Sequence, residues 1–349
     1  MRALAILTVK NEAAFLLEWL AHHRAVGFTD FLVFSNDCTD GTDQMLDRLQ
    51  ALGALTHLRN PGPWREGPQW AALKAADKHP LMRAADWVLV LDIDEFVNIH
   101  AGDGTLSALL ATLPEATAIA LTWRLFGNAG VVDFADAPVT EQFPRAAPAG
   151  MTWPWRASLI KTMFRNDGAY RKLGVHRPRA PDPARIAQTL WVDGSGRRLP
   201  DSYRSGRLFT PLGENPWQLV QLNHYALGAM QSYVLKCDRG RANRDASAFD
   251  LSYWVERNFC DIEDRTIRRY APATAAEIAR LRADAELDRL HRAGVAWRQR
   301  RFAALMAEEP FRALFGRLML TPPSRPLPPP LAARMRALGL AAAAKPPRA

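Results

Sequence analysis

Two aspartates, Asp92 and Asp94, stand two residues apart directly after the apolar run Trp87–Leu91. A short apolar run of this kind is typical of a buried strand. If the extended shape continues, alternation would place both carboxylates on one side of the chain. Paired carboxylates at a strand end form the hard oxygen site that Mg²⁺ or Mn²⁺ prefers. Such a cation can neutralise the charge on a departing nucleoside diphosphate.

The motif is weak alone, because acidic strand ends and helix caps have the same sequence. Its context strengthens the prediction. Strand-like and helix-like segments alternate before it, with strands predicted at 4–9, 30–35, 54–58 and 87–91 and helices at 15–26, 41–52 and 69–76. This order predicts an α/β fold: a mostly parallel twisted sheet with helices on both faces, plus a helical C-terminal extension.

Polar side chains follow three of these predicted strands. They are Lys10-Asn11-Glu12, Asn36-Asp37 and the acidic motif itself. Ligands of parallel sheets bind beyond the carboxyl ends of the strands. We therefore expect these clusters to border one binding cleft.

The chain of 349 residues is long enough for one large domain and an appendage. We predict a first domain over residues 1–228, a helical region over 229–320 and a disordered tail rich in Pro, Ala and Arg over 321–349. Residues 127–157 and 177–216 read as long loops, which in a compact domain are commonly binding lids or mobile segments.

Charge and cysteine content indicate which partners the protein could bind and in which compartment it would work. The net charge of +9 suits phosphate-bearing substrates or acidic lipid head groups, but it is equally compatible with a solvated basic surface. No recognised nucleic-acid motif accompanies the charge, so we expect no nucleic acid partner. The three cysteines show no paired spacing, which favours a reduced, cytoplasmic protein. The basic C-terminal helices could also bring the protein to the inner face of the membrane.

Three stretches and one downstream match carry a family resemblance. Thr8–Glu12 with the following Glu18–His23, then Ser35–Thr42, then Leu91–Phe96 occur in order, and Asn223-His224-Tyr225 follows much later. Together they resemble the nucleotide-sugar glycosyltransferases of GT-A fold, in the family-2-like and family-92-like group. The resemblance covers about the first hundred residues and implies that Asp92-Ile93-Asp94 is the metal-binding motif.

The resemblance also implies site roles. Asp94 would ligate Mn²⁺ or Mg²⁺, and Asp92 would contact the metal, its water or the ribose. His224 would complete the metal shell or else serve the core or the acceptor, with His176 as the competing ligand. The nucleotide would be bordered by Val9, Lys10, Asn11, Glu12, Asn36 and Asp37.

Further candidates come from residue type and position. Lys161 and Lys236 are predicted to bind donor phosphates, although any single basic residue is more commonly a solvated charge. Trp153, Trp155 and His176 are predicted to contact the acceptor, since aromatic faces suit sugar rings. Asp133 and Glu141 lie in the loop after the predicted strand 118–126, where a catalytic base could sit.

These features predict an inverting, metal-dependent glycosyltransferase. Its donor would be a nucleoside-diphosphate sugar, with a UDP-sugar favoured, and its acceptor a polysaccharide or lipid-linked glycan. A sugar nucleotidyltransferase is disfavoured because no Gly-rich loop follows the first strand. A non-catalytic sugar- or nucleotide-binding protein is the remaining alternative.

Overall fold

The computed structural model describes residues 1–211, 213–240 and 250–343. A central sheet of nine strands organises this part of the chain, in the spatial order β3-β2-β1-β4-β8-β6-β12-β5, with β11 paired to β6. The strands are β1 (Ala3–Val9), β2 (Asp30–Ser35), β3 (Thr56–Arg59), β4 (Trp87–Leu91), β5 (Glu95–Ile99), β6 (Ala118–Leu125), β8 (Ile160–Arg165), β11 (Trp191–Asp193) and β12 (Val220–His224).

Most neighbouring strands run parallel. β1 pairs in parallel with β2 and β4, and β6 with β11 and β12. β8 and β5 run against their neighbours. Two small ribbons lie outside the sheet and pair β9 (Tyr170–Lys172) with β10 (Arg179–Pro181) and β7 (Arg145–Ala146) with β13 (Ile262–Glu263). The predicted mostly parallel sheet is confirmed.

Both faces of the sheet are buried, which explains the continuous apolar strands. In β1, Ala5 and Leu7 join one core cluster, whereas Leu4 and Ile6 point the other way into a second cluster. Helices α1 (Leu16–Val26) and α2 (Thr42–Ala51) cover the first face. The other face is covered by α3 (Pro68–Ala76) and α4 (Pro80–Ala84).

The remaining helices are mostly C-terminal and pack onto this frame. α9 contacts α1, α10 contacts α2, and α11 contacts α7. Their bounds are α5 (Leu106–Thr112), α6 (Val139–Gln142), α7 (Met230–Arg239), α8 (Leu251–Val255), α9 (Ala271–Arg282), α10 (Ala285–Leu305), α11 (Glu309–Leu320) and α12 (Pro329–Ala343). The predicted helical C-terminal part is confirmed, although β13 interrupts it and residues 241–249 lie outside the described residues.

The end of the chain differs from the expectation of disorder over 321–349. Helix α12 occupies Pro329–Ala343 of this segment, and residues 344–349 lie outside the described part. Composition explains the helix, because Pro is favoured in a first helical turn and the following Ala, Leu, Met and Arg residues have high helix propensity. The domain boundary at residue 228 stays a prediction.

A pair of buried histidines joins α1 to β5. Nε2 of His22 donates to the Val97 carbonyl oxygen at 2.8 Å, and Nδ1 of His23 donates to the Trp19 carbonyl oxygen at 2.8 Å. Burial lowers the pKa of His22 to about 4 and the pKa of His23 well below its usual value. Both rings are therefore neutral in the folded protein at neutral pH.

Acidification should destabilise the fold through this pair. Below about pH 6.5 the unfolded chain protonates His22, whereas the folded protein does not until about pH 4, so stability is lost as pH falls through this window. We expect the free energy of unfolding to fall by on the order of 2 kcal/mol between pH 7 and pH 5 from His22 alone. Urea denaturation at both pH values measures the fall. His22→Gln keeps a donor but cannot titrate, so its fall should be smaller; an equal fall would contradict the assignment.

Candidate active site

The carboxyl ends of β1, β4 and β12 meet at one cleft. Lys10 and Glu12 follow β1, Asp94 follows β4, and His224 ends β12, and all of them line the cleft. These strands run in the same direction, so their carboxyl ends lie at one edge of the sheet. The predicted placement of the polar clusters is met for these residues.

The acidic motif forms a turn rather than an extended strand end. The Glu95 amide donates to the Asp92 carbonyl oxygen at 3.1 Å, and β5 begins at Glu95. The chain turns here because β5 pairs with β12, away from β4 in the sheet. The expectation of an extended motif is thus wrong, yet Asp92 and Asp94 both line the cleft.

Asp92 is held by a buried cation. Nζ of Lys161 lies 3.0 Å from the Asp92 carboxylate and 3.3 Å from that of Glu95, and the Lys161 side chain is fully buried. Burial opposes the charge on Lys161, but the two carboxylates outweigh it and raise the pKa of the ammonium group. Nε2 of Gln69 donates to Asp92 from the other side at 3.3 Å.

Glu95 points inward and braces the turn. Its carboxylate accepts hydrogen bonds from the Asp92 amide at 2.8 Å and from Nε1 of Trp123 at 2.6 Å. The side chain is fully buried and does not line the cleft. Glu95 therefore positions the motif rather than facing a ligand.

Asp94 has a different set of partners. Nζ of Lys236, on α7, donates to its carboxylate at 2.7 Å, and Nε2 of His224 lies 3.7 Å from its other oxygen. Burial opposes ionisation of Asp94, but attraction to the Lys236 ammonium group outweighs it and holds the pKa of Asp94 well below its usual range. Asp94 is therefore a carboxylate at neutral pH.

His224 is a neutral imidazole beside this carboxylate. Burial lowers the pKa of His224 to about 3, and its ring lies against Trp123 with centroids 4.1 Å apart. Its buried Nδ1 has no hydrogen-bond partner within the described residues. The 3.7 Å between Nε2 and the Asp94 oxygen is too long for a hydrogen bond but suits two ligands of one cation, each about 2.1 Å from it.

The described wall of the cleft has an excess of basic groups. Its acidic residues, among those described, are Glu12, Asp92 and Asp94. Its basic residues come from four separate segments, namely Lys10, Arg156, Lys236, Arg239 and Arg257. Nη1 of Arg239 donates to the Lys10 carbonyl oxygen at 2.8 Å and also pairs with Glu12. Such a surplus of positive charge suits an anionic ligand.

The other predicted nucleotide residues divide into two groups. Val9 and Lys10 line the cleft. Asn36 is fully buried, where its side chain donates to the Val9 carbonyl oxygen at 3.0 Å, and Oδ1 of Asn11 accepts from the Thr39 amide at 2.8 Å. Asp37 is exposed, with a backbone φ of 44°. The two asparagines thus brace the turns after β1 and β2.

The residues predicted to supply the base lie outside the cleft. Asp133 is exposed and accepts from Nε2 of Gln231 at 2.7 Å. Glu141 is exposed on α6. Neither lines the cleft, because the loop that carries them passes over α1 and the start of α7 instead: Val139 donates to Glu18, and Phe134 to Gln231.

The predicted acceptor residues are also separated. His176 lines the cleft, with its ring 5.8 Å from that of Trp123. Trp153 and Trp155 contact each other with ring centroids 4.5 Å apart, but Trp153 faces α12 and Trp155 is 48% exposed. The structure does not bring these tryptophans to the cleft.

Several cleft residues carried little signal in the sequence. In the sequence, Gln69 and Trp123 are ordinary members of a predicted helix and a predicted strand, and Tyr253 and Arg257 lie far from any motif. The signal that could have found further site residues is the helical spacing of residues along α7. The residues of α7 that face the site occupy positions i, i+3, i+4 and i+7 of one helix face, namely Ser232, Leu235, Lys236 and Arg239.

The sequence profile of glycosyltransferase family 92 matches residues 5–190, just over half of the chain. The chain belongs to glycosyltransferase family 92. The family 92 match includes the acidic motif and Lys161, whereas His224, Lys236 and the C-terminal helices lie beyond it.

Family 92 proteins of two plants are among its relatives. One from Oryza sativa subsp. japonica is 27% identical over 128 residues, which are 35% of this chain and 21% of that protein. One from Ricinus communis is 25% identical over 138 residues, or 37% of this chain and 23% of that protein. The matches thus span less than a quarter of the length of these relatives.

Two solved structures show weak similarity. S. aureus TarS in complex with UDP aligns with a TM-score of 0.31 and 15% identity over 48% of this chain and 47% of that one. Glucosyl-3-phosphoglycerate synthase from Mycobacterium tuberculosis, in complex with Mn²⁺, UDP and glucosyl-3-phosphoglycerate, aligns with a TM-score of 0.24 and 17% identity over 35% and 44% of the two chains.

Removing the cation under the motif should destabilise the family 92 domain. Lys161→Met removes the ammonium group that pairs with Asp92 and Glu95. Burial raises the pKa of Glu95 to about 8, so Glu95 becomes protonated rather than staying as an unpaired charge. We therefore expect the free energy of unfolding to fall by about 2–3 kcal/mol, from the lost charge-assisted hydrogen bonds. Urea denaturation measures this change. Lys172→Met, at an exposed position on β9, is the matched control and should change stability by less than about 0.5 kcal/mol. Equal effects of the two changes would rule out the buried ion pair as a support of the turn.

Proposed function

We propose that this protein transfers a sugar from a nucleoside-diphosphate donor, preferably a UDP-sugar, to a glycan or lipid-linked acceptor. The reaction would invert the anomeric carbon and use Mn²⁺ or Mg²⁺. The observation that supports it most directly is Asp94, an ionised carboxylate 3.7 Å from a neutral His224 in a basic cleft. Family 92 membership supports the reaction class.

The side chains present suit a divalent cation. Asp94 supplies a carboxylate oxygen and His224 an imidazole nitrogen, both acceptable to Mn²⁺. Within the described residues, no set of three or more His, Cys, Asp or Glu side chains is placed to hold a metal. Mg²⁺-type sites commonly combine one or two carboxylates with waters and substrate phosphates. A bound cation would stabilise the negative charge of the leaving diphosphate.

The basic residues of the cleft would bind the rest of the diphosphate. Lys236 offers an ammonium group beside Asp94, and Arg239 offers a guanidinium that can bind phosphate with two hydrogen bonds. Both come from one face of α7. The same helix would therefore orient the donor and hold the carboxylate of the metal site.

Inversion requires a base that removes a proton from the acceptor hydroxyl. Asp133 and Glu141, which the sequence favours, do not line the cleft. Glu12 borders both the cleft and an adjoining cavity beyond Asp94. We assign the base to Glu12, which would keep its ion pair with Arg239 through one carboxylate oxygen and accept the proton on the other.

We further propose that the protein works in the cytoplasm. The three cysteines, Cys38, Cys237 and Cys260, are unpaired, as expected for a reducing environment such as the cytoplasm. Within the described residues, no helix combines the length and the apolar character that crossing a membrane requires. Contact with the inner face of a membrane stays a prediction.

Asp94→Asn tests the metal site, because it removes the charge and keeps the shape. We expect UDP release from a panel of UDP-sugars with Mn²⁺ to fall about 100-fold or more, and Mn²⁺ binding, followed by electron paramagnetic resonance, to weaken. Asp201→Asn, at an exposed position with 70% of its side chain accessible, is the control and should retain both. Normal Mn²⁺ affinity in Asp94→Asn would exclude the metal assignment.

Glu12→Gln tests the base. Loss of the proton acceptor should lower kcat by about 100-fold or more and leave the affinity for UDP within a few-fold of the wild type. Steady-state kinetics with an active donor and acceptor pair, together with UDP titrations, separate the two effects. A variant that loses UDP binding but keeps kcat would assign Glu12 to the donor instead.

A further inference from the structure

An apolar cavity lies beside the cleft, on the other side of Asp94. The two spaces share Glu12, Ile93, Asp94, Lys236 and Arg239. Most of the remaining cavity wall is apolar and includes the aromatic rings of Phe15, Phe134, Phe143, Tyr225 and Trp297. A molecule in this cavity would therefore reach the same carboxylates as a donor in the cleft.

One charged side chain in this wall stands out. Arg298 is only 5% exposed, and its guanidinium lies over the rings of Phe15 and Phe134, at 4.6 and 4.9 Å from their centroids. Within the described ranges it forms no ion pair, and its buried Nε has no hydrogen-bond partner. Burial lowers the pKa of Arg298 to about 10, so the group is still protonated at neutral pH.

The other charges of the cavity are already balanced. Glu12 pairs with Arg239, and Asp94 pairs with Lys236. No further acidic residue lines the described cavity wall. Glu12 and Asp40 attract the charge of Arg298, but neither forms an ion pair with it, so a surplus positive charge remains. An unpaired buried cation is costly, and contacts with two aromatic rings offset only part of that cost. An anionic group of a ligand would supply the missing partner.

The fold holds Arg298 in this position. It lies on α10, which packs against the short 3-10 turn Ala13–Phe15. The approach is close at Gly294, where a Cβ atom would come within 2.5 Å of Cβ of Ala13. A glycine there allows α10 to lie near enough for the guanidinium to reach the cavity.

We propose that this cavity is the acceptor subsite and that the acceptor carries an anionic group, a carboxylate or a phosphate, that pairs with Arg298. The inference rests on the proposed transferase function. It adds the chemical class of the acceptor: an apolar or ring-shaped body that packs against the aromatic wall, with one negative charge beside Arg298.

Binding measurements on the full chain test this inference directly. The probes are a glucuronic-acid-terminated disaccharide, a glucose phosphate and a neutral disaccharide, each titrated with and without UDP. We expect the wild type to bind at least one anionic probe about tenfold or more tightly than the neutral one. The two anionic probes distinguish a carboxylate from a phosphate. Equal affinities for all three would overturn the proposal.

Variants of α10 distinguish a ligand-binding role of Arg298 from a purely structural one. Arg298→Met should lose the preference for the anionic probe, and Arg298→Lys should keep part of it because the charge remains. Arg300→Met, at an exposed position two residues further along α10, should match the wild type. The melting temperature of Arg298→Met should not fall, because an unpaired buried charge is removed. A large fall with the anionic preference retained would make Arg298 structural and overturn the proposal.

The two hypotheses can fail separately. Wild-type protein that binds UDP but shows no anionic preference would overturn the acceptor inference and leave the donor proposal standing. Wild-type protein that binds an anionic probe in a manner dependent on Arg298, yet neither binds UDP nor releases it from any UDP-sugar, would overturn the transferase proposal and with it the assignment of the cavity as an acceptor subsite.

Discussion

Two lysines, the buried Lys161 and the partly buried Lys236, hold the acidic turn between β4 and β5, and the site depends on their ion pairs. Lys161 reaches Asp92 and Glu95 from β8, while Lys236 reaches Asp94 from α7. Carboxylates withdrawn from water are costly unless a counter-charge and hydrogen bonds accompany them. The turn can therefore keep three acidic residues together only because cations from distant elements reach it. Those pairs also fix which carboxylate faces the interior and which face the cleft.

This dependence makes the C-terminal helices part of the site. The family 92 match ends at residue 190, so the part it covers contributes the acidic turn and Lys161. Helix α7 then lines both the cleft and the cavity, and α10 contributes Trp297 and Arg298 to the cavity wall. The asymmetry between a polar, basic cleft and an apolar cavity with one surplus cation is the basis on which we propose a donor side and an acceptor side.

The pattern of apolar and polar residues along the chain was sufficient to predict strands and helices that build the fold. Strands 30–35 and 87–91 have the predicted bounds because a strand buried on both faces is a continuous apolar run bounded by polar residues. Gly27 ends α1 at a backbone φ of 112°, which glycine adopts without strain. Local pattern did not reveal the conformation of the chain after Leu91. The turn there is set by the pairing of β5 with β12, more than 120 residues away in sequence.

The sequence by itself determined the order of the elements, the edge of the sheet that carries the polar residues, and the acidic motif with its neighbouring histidine and lysine candidates. The first two follow from periodicity and from the rule that parallel strands end at one edge, whereas the roles of the motif and of His224 were implied by the family resemblance. Only the tertiary structure decided that Lys161 and Lys236 pair with different members of the motif, and that Asp133, Glu141 and the two loop tryptophans lie elsewhere. It also decided that Arg298 lines a cavity without an ion pair to any described residue. The reason is physical: a side chain's neighbours across 100 or more residues are set by how helices pack on the sheet, and local periodicity holds no record of that packing.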